Sequence, residues 1–277
     1  MARARKRFAQ HFLEPAWVAK LVTAVAPQPV DRFIEIGPGR GAITAPLAAR
    51  VERMIAVEVD RDLAAALDAR GLTNMTVVAK DVLEVDLVEI ARGIGVADAP
   101  PPTLTEVPPL PVRVVGNLPY NISSPILFKL LEASKSGLFT DATLMLQKEV
   151  ADRLIAKPGT GDYGVLTLSI QIRADVVRLL ELPPGAFRPA PKVRSSVVRL
   201  SFRPPPAQVH NPELLVAIVR SVFTQRRKTM GNALASLATA RGRDAHELLA
   251  AAGLDARRRP ETFTLMEYAG LADALAR

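Results

Sequence analysis

The chain contains no cysteine. That excludes a disulfide framework and a thiolate metal centre. Histidine is almost as scarce, with 3 in all and none near another. A histidine-based metal site is not expected either, and no bound metal is expected. No stretch of about 18 consecutive apolar residues exists, so no membrane span is expected. The N-terminus is basic but no apolar run follows it, which argues against a secretory signal. A cytoplasmic protein is the expectation. Hydrophobic residues make up 49% and charged residues 23% of the chain, which excludes a disordered or collagen-like polymer. There are no internal repeats. At about 150 residues per domain, 277 residues allow one large domain or one with a small companion.

What the chain has in excess is positive charge, and it is unevenly placed. From Ala186 to Arg277 there are 15 Lys/Arg against 7 Asp/Glu, while residues 1–185 hold 21 of each. Within that neutral part, Arg3, Arg5, Lys6 and Arg7 form a basic arm. Charge gathered at both ends of a chain is the footprint of a polyanion binder, and nucleic acid is the expected partner. General solubility is the plainer reading.

The first two-thirds alternates short apolar runs with helical patterns. Strands are expected at Phe33–Ile36, Met54–Val59, Met75–Ala79, Val112–Val115 and Ala142–Leu146. Helices are expected at Ala42–Ala49, Asp62–Ala69 and Ser123–Ala133. Such alternation builds a parallel sheet covered on both faces by helices. The Pro-rich stretch from Gly93 to Pro111 reads as a surface loop without a stable element. After Ala174 come two more strands, Val176–Leu180 and Ser196–Phe202, the second with the alternation of an antiparallel strand. Pro204–Pro206 breaks the chain, and everything beyond is helical: Pro212–Phe223, Gly231–Thr239, Asp244–Ala251 and Leu265–Leu275. Thr264 and Glu267 have capping-box spacing. The expected division is therefore residues 1–203, an α/β domain, and 204–277, a small all-α domain.

Three acidic and glycine signals fall at the ends of successive strands. Gly37-Pro38-Gly39-Arg40-Gly41 follows the first strand and opens the first helix. Glycines let a ligand approach the backbone closely. Pro38 removes one N–H, whereas a pyrophosphate wants several, so the loop suits a ligand without one. Glu58, about twenty residues on, is placed to accept hydrogen bonds from both hydroxyls of a ribose. Asp81, after the third strand, either accepts from an adenine amine or caps the next helix. Each carboxylate taken alone is an ordinary strand-end residue. Together they favour an adenosine-containing cofactor, and point away from NAD toward S-adenosylmethionine.

The sharpest local signal follows the fourth strand: Asn117-Leu118-Pro119-Tyr120. It is similar to the signature of methyltransferases that modify exocyclic amines of nucleobases. The N6 lone pair of adenine is delocalised into the ring, so the amine is a poor nucleophile. Acceptors aimed at its hydrogens, the Asn117 side chain and the Leu118 carbonyl, favour a localised lone pair. Pro119 stiffens the turn and Tyr120 stacks on the base. The sulfonium donor is already activated, so positioning and electrostatics suffice. An Asn–Pro turn with a packed tyrosine is the plainer alternative.

Six motifs in order now fix a resemblance: Arg5–Leu13, Glu35–Gly41, Asn117–Ser123, Leu146–Val150, Phe187–Val193 and Phe223–Thr229. The chain resembles the bacterial ribosomal RNA adenine N6,N6-dimethyltransferases of the KsgA type over nearly its full length. The resemblance implies a class I S-adenosylmethionine-dependent methyltransferase fold, Rossmann-like, with a seven-stranded sheet carrying one antiparallel strand. It implies a small helical C-terminal domain for RNA docking. It implies that two adjacent adenosines near the 3′ end of 16S rRNA, in the small ribosomal subunit, are each methylated twice at N6. Carried over by motif, His11 and Leu13 touch the cofactor, Gly37 borders its methionine part, Glu58 its ribose and Asp81 its adenine. Asn117 sits at the reaction centre, and Phe187 forms a second wall of the base pocket opposite Tyr120. His11 stands where many members have Asn, so a backbone contact is what carries over. Arg226, Arg227 and Lys228 are the expected RNA contacts. A monomer is expected. The alternatives are a relative that methylates 23S rRNA and confers antibiotic resistance, and a non-catalytic ribosome-assembly factor on the same fold. A DNA amino-methyltransferase is disfavoured because no separate DNA-reading domain exists.

Overall fold

The computed structural model describes residues 12–94 and 111–277. Chain contacts divide it into two compact units. One holds the residues up to Ala151 together with Val176–Arg203, the other Asp152–Asp175 together with Pro204–Arg277. The chain thus crosses at Pro204, where the proline run stands, but residues 152–175 also join the second unit. No proline cluster or charge shift marks that earlier excursion.

In chain order the strands are β1 (Phe12–Leu13), β2 (Arg32–Ile36), β3 (Arg53–Val57), β4 (Met75–Val78), β5 (Val112–Asn117), β6 (Phe139–Gln147), β7 (Ala174–Leu182), β8 (Phe187–Arg188) and β9 (Ser195–Phe202). The helices between them are α1 (Pro15–Val25), α2 (Thr44–Ala48), α3 (Arg61–Asp68), α4 (Leu87–Gly93), α5 (Ser123–Ser134), α6 (Lys148–Ile155) and α7 (Val165–Gln171). After β9 come α8 (Pro212–Phe223), α9 (Met230–Thr239), α10 (Ala245–Ala251) and α11 (Leu265–Ala276).

Seven strands form one sheet in the order β4-β3-β2-β5-β6-β9-β7. Pairings from β4 through to β6 are parallel, and β9 runs antiparallel to β6. This is the expected class I architecture. Strands β2 and β3 are buried after their first residue, as strands covered on both faces must be. On one face Phe33, Met54, Val115, Met145 and Val197 share an apolar cluster with Leu21, Val22 and Val25 of α1 and Leu47 of α2. The order turns at β2: β3 lies on one side and β5 on the other. Their connections leave in opposite directions and open a crevice at the carboxyl ends.

Helix α1 ends against two guanidinium groups. Arg113 donates to the Val25 carbonyl at 2.9 Å and Arg199 to the Ala24 and Val25 carbonyls at 2.6 and 3.0 Å. Cations there complement the negative end of the helix. Arg113 also pairs with Asp31 at 2.7 Å and with buried Asp141 at 2.9 Å. Burial raises the Asp141 pKa and the Arg113 charge opposes that rise.

The second unit is helical. Tyr163, Leu168, Leu215, Met230, Leu234 and Tyr268 form its core. The buried phenols are satisfied: Tyr163 donates to the Phe263 carbonyl at 2.9 Å and Tyr268 to the Pro260 carbonyl at 2.8 Å. The Thr264–Glu267 capping box is present at the start of α11. The sequence pattern does not announce helices α1, α4, α6 and α7. Two are only seven residues long, too short for a helical period to stand out. Residues 95–110 of the Pro-rich stretch lie outside the described residues, as does the Arg3–Arg7 arm.

Candidate active site

The crevice between β2 and β5 holds a cavity of about 280 Å³. Leu13, Gly37, Glu58, Asp81, Asn117, Leu118, Pro119 and Tyr120 all line it. Eight residues named from the sequence therefore meet in one place. His11 lies outside the described residues.

The glycine loop has the geometry of a cradle. Gly37, Gly39 and Gly41 all take positive φ, between 57° and 71°. Side chains rarely tolerate that conformation. A Cβ on Gly39 would also stand 3.5 Å from the Phe12 ring, which the Arg40 guanidinium covers from 4.1 Å. Gly116, at the end of β5, has a different reason. A Cβ there would come within 2.7 Å of the Ile36 carbonyl oxygen. Only glycine lets β5 pass β2 this closely.

Glu58 is 5% exposed. Its Oε2 accepts from the Gly39 N–H and its Oε1 from the Asp60 N–H, both at 2.9 Å. Burial raises its pKa, and backbone donors from Asp60, Gly39 and Val59 oppose the rise. An ionised carboxylate offers about four acceptor sites. Backbone N–H groups take part of this capacity, and the remainder is open to a ligand hydroxyl. The sequence did not reveal that Glu58 also pins the glycine loop. Asp81 accepts from the Leu83 N–H at 2.8 Å through Oδ1, closing its own turn, and still faces the cavity.

Asn117 is the last residue of β5. Leu118 then donates its N–H to the Met145 carbonyl of β6 at 3.1 Å, and Pro119 accepts from Ile122 at 3.2 Å. These bonds bend the chain into a tight turn that carries Tyr120 on the cavity wall. Tyr120 Oη lies 2.7 Å from Ser195 Oγ. Burial pushes the Tyr120 phenol above its ordinary range, and the Ser195 contact works against that.

Phe187 lies apart from these residues. It is fully buried in β8, belongs to the cluster beneath the sheet, and is absent from the cavity lining. The reason is local: β8 pairs with β1, setting Phe187 opposite Leu13, and the side chain joins the core. A second stacking wall is not formed by it in this structure. Conversely, Phe12, Val59 and Val82 line the cavity and were missed. The last two each follow an acidic residue, Glu58 and Asp81, a pattern the sequence did offer.

The basic run lies in the turn between α8 and α9, rather than in a helix. Arg226 is engaged within its own unit. It donates to the Gly161 and Thr160 carbonyls at 2.7 and 3.0 Å and approaches Glu261 at 3.9 Å. Arg227 and Lys228 are exposed.

A family model described as ribosomal RNA adenine dimethylase matches residues 1–270. The chain is 42% identical to "Ribosomal RNA small subunit methyltransferase A" of Acinetobacter baylyi, over 99% of this chain and 93% of that one. It is 43% identical to the protein of that name from Chromobacterium violaceum, over 98% and 95%. Among solved structures, it is similar to a dimethyladenosine transferase from Plasmodium falciparum. There the TM-score is 0.74 at 23% identity, covering 94% of this chain and 96% of that one, a likeness of fold. The 23S rRNA methyltransferase ErmE gives a TM-score of 0.66 at 26% identity, covering 96% and 100%. With the family model spanning nearly the whole chain and full-length relatives above 40% identity, this protein belongs to the ribosomal RNA adenine dimethylase family.

Proposed function

We propose that this chain transfers methyl groups from S-adenosylmethionine to N6 of two adjacent adenosines near the 3′ end of 16S rRNA, dimethylating each. One observation carries the reading. The Asn117–Tyr120 turn and the pair Glu58 and Asp81 line the same cavity. A site for an adenosine-bearing donor and a site for a target base would then share one wall. The volume is close to the lower end of the range for small-molecule sites.

The cavity fits the donor by its chemistry. The positive-φ glycines give a bare backbone beside which the methionine part can lie, next to Gly37. Glu58 keeps acceptor capacity for the ribose hydroxyls. Asp81 accepts from the adenine amine, between the apolar walls of Val59 and Val82. When bound, the donor supplies a methyl group already activated as a sulfonium. The chain's own residues prepare the acceptor. The Asn117 side chain and the Leu118 carbonyl accept the hydrogens of the target amine and favour a lone pair localised on nitrogen. Tyr120 stacks on the base and fixes the line of attack. Preorganised acceptors of this kind act without reorganisation as positive charge develops.

The helical unit is proposed to dock on RNA of the small subunit through Arg227 and Lys228. Its relatives at about 40% identity are named for the small subunit, which favours 16S over 23S rRNA. The test is incubation with labelled donor and unmethylated small subunits, followed by mapping of the modified nucleotides. Two adjacent dimethyladenosines near the 3′ end of 16S rRNA are expected. Label in 23S rRNA alone, or none, overturns the reading.

A further inference from the structure

Stacking on a base needs only an aromatic ring, and phenylalanine would supply one. This turn carries a tyrosine, and the far end of its ring is fastened. Tyr120 Oη lies 2.7 Å from Ser195 Oγ. Ser195 is fully buried and is the first residue of β9. Its place is set by the antiparallel ladder, which runs from Asp141↔Ser201 to Gln147↔Ser195. The same ladder holds the other end of the turn, because Leu118 bonds to Met145 two residues before Gln147. Two neighbouring strands therefore grip the turn at its start and at its tip.

The physical consequence is orientation. A tyrosine ring swings about two side-chain torsions, and a hydrogen bond at the hydroxyl removes much of that freedom. Preorganising a stacking surface lowers the ordering cost of binding the base. Without its partner, a half-buried phenol would lack one compensating bond and turn elsewhere. We infer that Ser195 is a positioning residue: through its bond to the Tyr120 hydroxyl it holds the ring at the angle the target adenine requires. The inference rests on the stacking role proposed for Tyr120.

The test measures single-turnover methyl transfer to unmethylated small subunits, saturating in donor and subunit, with donor affinity followed by calorimetry. Ser195→Ala and Tyr120→Phe are each expected to slow transfer by about 2- to 12-fold, the net worth of one hydrogen bond. Donor affinity should stay at the wild-type value. The double variant should be no slower than the slower single one, because both changes remove the same bond. Wild-type rates in either single variant overturn the inference. So do effects that multiply in the double variant, or a loss of donor affinity in Ser195→Ala, which would mean a general structural role. Should Ser195→Ala fail to fold, Tyr120→Phe keeps the ring and removes no core atom, and its rate decides alone. If the wild type transfers no methyl to small subunits, the proposed function fails; if it does and the variants match it, only this inference fails.

Discussion

Glu35 offers a measurement that needs neither donor nor RNA. It sits in β2 with 1% of its surface exposed, and its Oε2 finds no hydrogen-bond partner among the described residues. Burial raises its pKa from 4.5 to about 7, and the Glu58 charge adds to the effect. The folded chain thus holds a proton that the unfolded chain releases near its ordinary value. Stability from this group is complete below the unfolded pKa and is lost as pH rises through that of the folded state. At about 1.4 kcal/mol per pH unit, the gap amounts to roughly 3 kcal/mol. Glu35→Gln keeps the shape and removes the titration. The variant should match the wild type near about pH 4 and exceed it increasingly toward about pH 8, by up to roughly 3 kcal/mol. Urea unfolding followed by circular dichroism across that range reads the difference. Parallel stability curves for the two proteins would refute the reasoning, since they would mean that Glu35 releases its proton alike in both states.

Glu58→Ala should weaken S-adenosylmethionine binding by about 1.5–3 kcal/mol, the range for hydrogen bonds to a charged group; calorimetry decides, and unchanged affinity removes Glu58 from the site. Replacing Arg227 and Lys228 by Ala should lower the salt slope of small-subunit binding by about 0.7–0.9 for each lost phosphate contact while leaving donor affinity intact. Arg226→Ala should instead reduce stability by about 1 kcal/mol, because its guanidinium ties the Thr160 and Gly161 carbonyls; an unchanged unfolding midpoint would count against that. Arg113→Ala should destabilise by about 3–5 kcal/mol, since buried Asp141 loses its salt-bridge partner. A loss below about 1 kcal/mol in denaturant unfolding would show the network to be dispensable.

Much of the fold was legible because its signals are local. The apolar runs at Phe33–Ile36 and Val112–Val115 mark strands buried on both faces wherever they end up. Glycines after β2 and carboxylates after β3 and β4 announce a ligand site, because strands of one parallel sheet end on the same edge. The cavity and seven of its residues followed from that rule, and Leu13 from the family resemblance. What stayed hidden depends on which distant segments meet. Phe187 looks like a free aromatic in the sequence, and pairing of β8 with β1 places it in the core. Arg226 looks like its two basic neighbours, yet the carbonyls of residues 160 and 161 claim it. Residues 152–175 carry no mark of the unit they join. Ser195 is one serine among many until the β6–β9 register carries it to the Tyr120 hydroxyl, 75 positions away in the chain. Period and turn chemistry are written residue by residue, and so the sheet strands, several of the helices and the edge where the site forms can be read from the chain alone. A side chain's partner is set by packing between segments far apart in the chain, and it emerges once those segments have folded together.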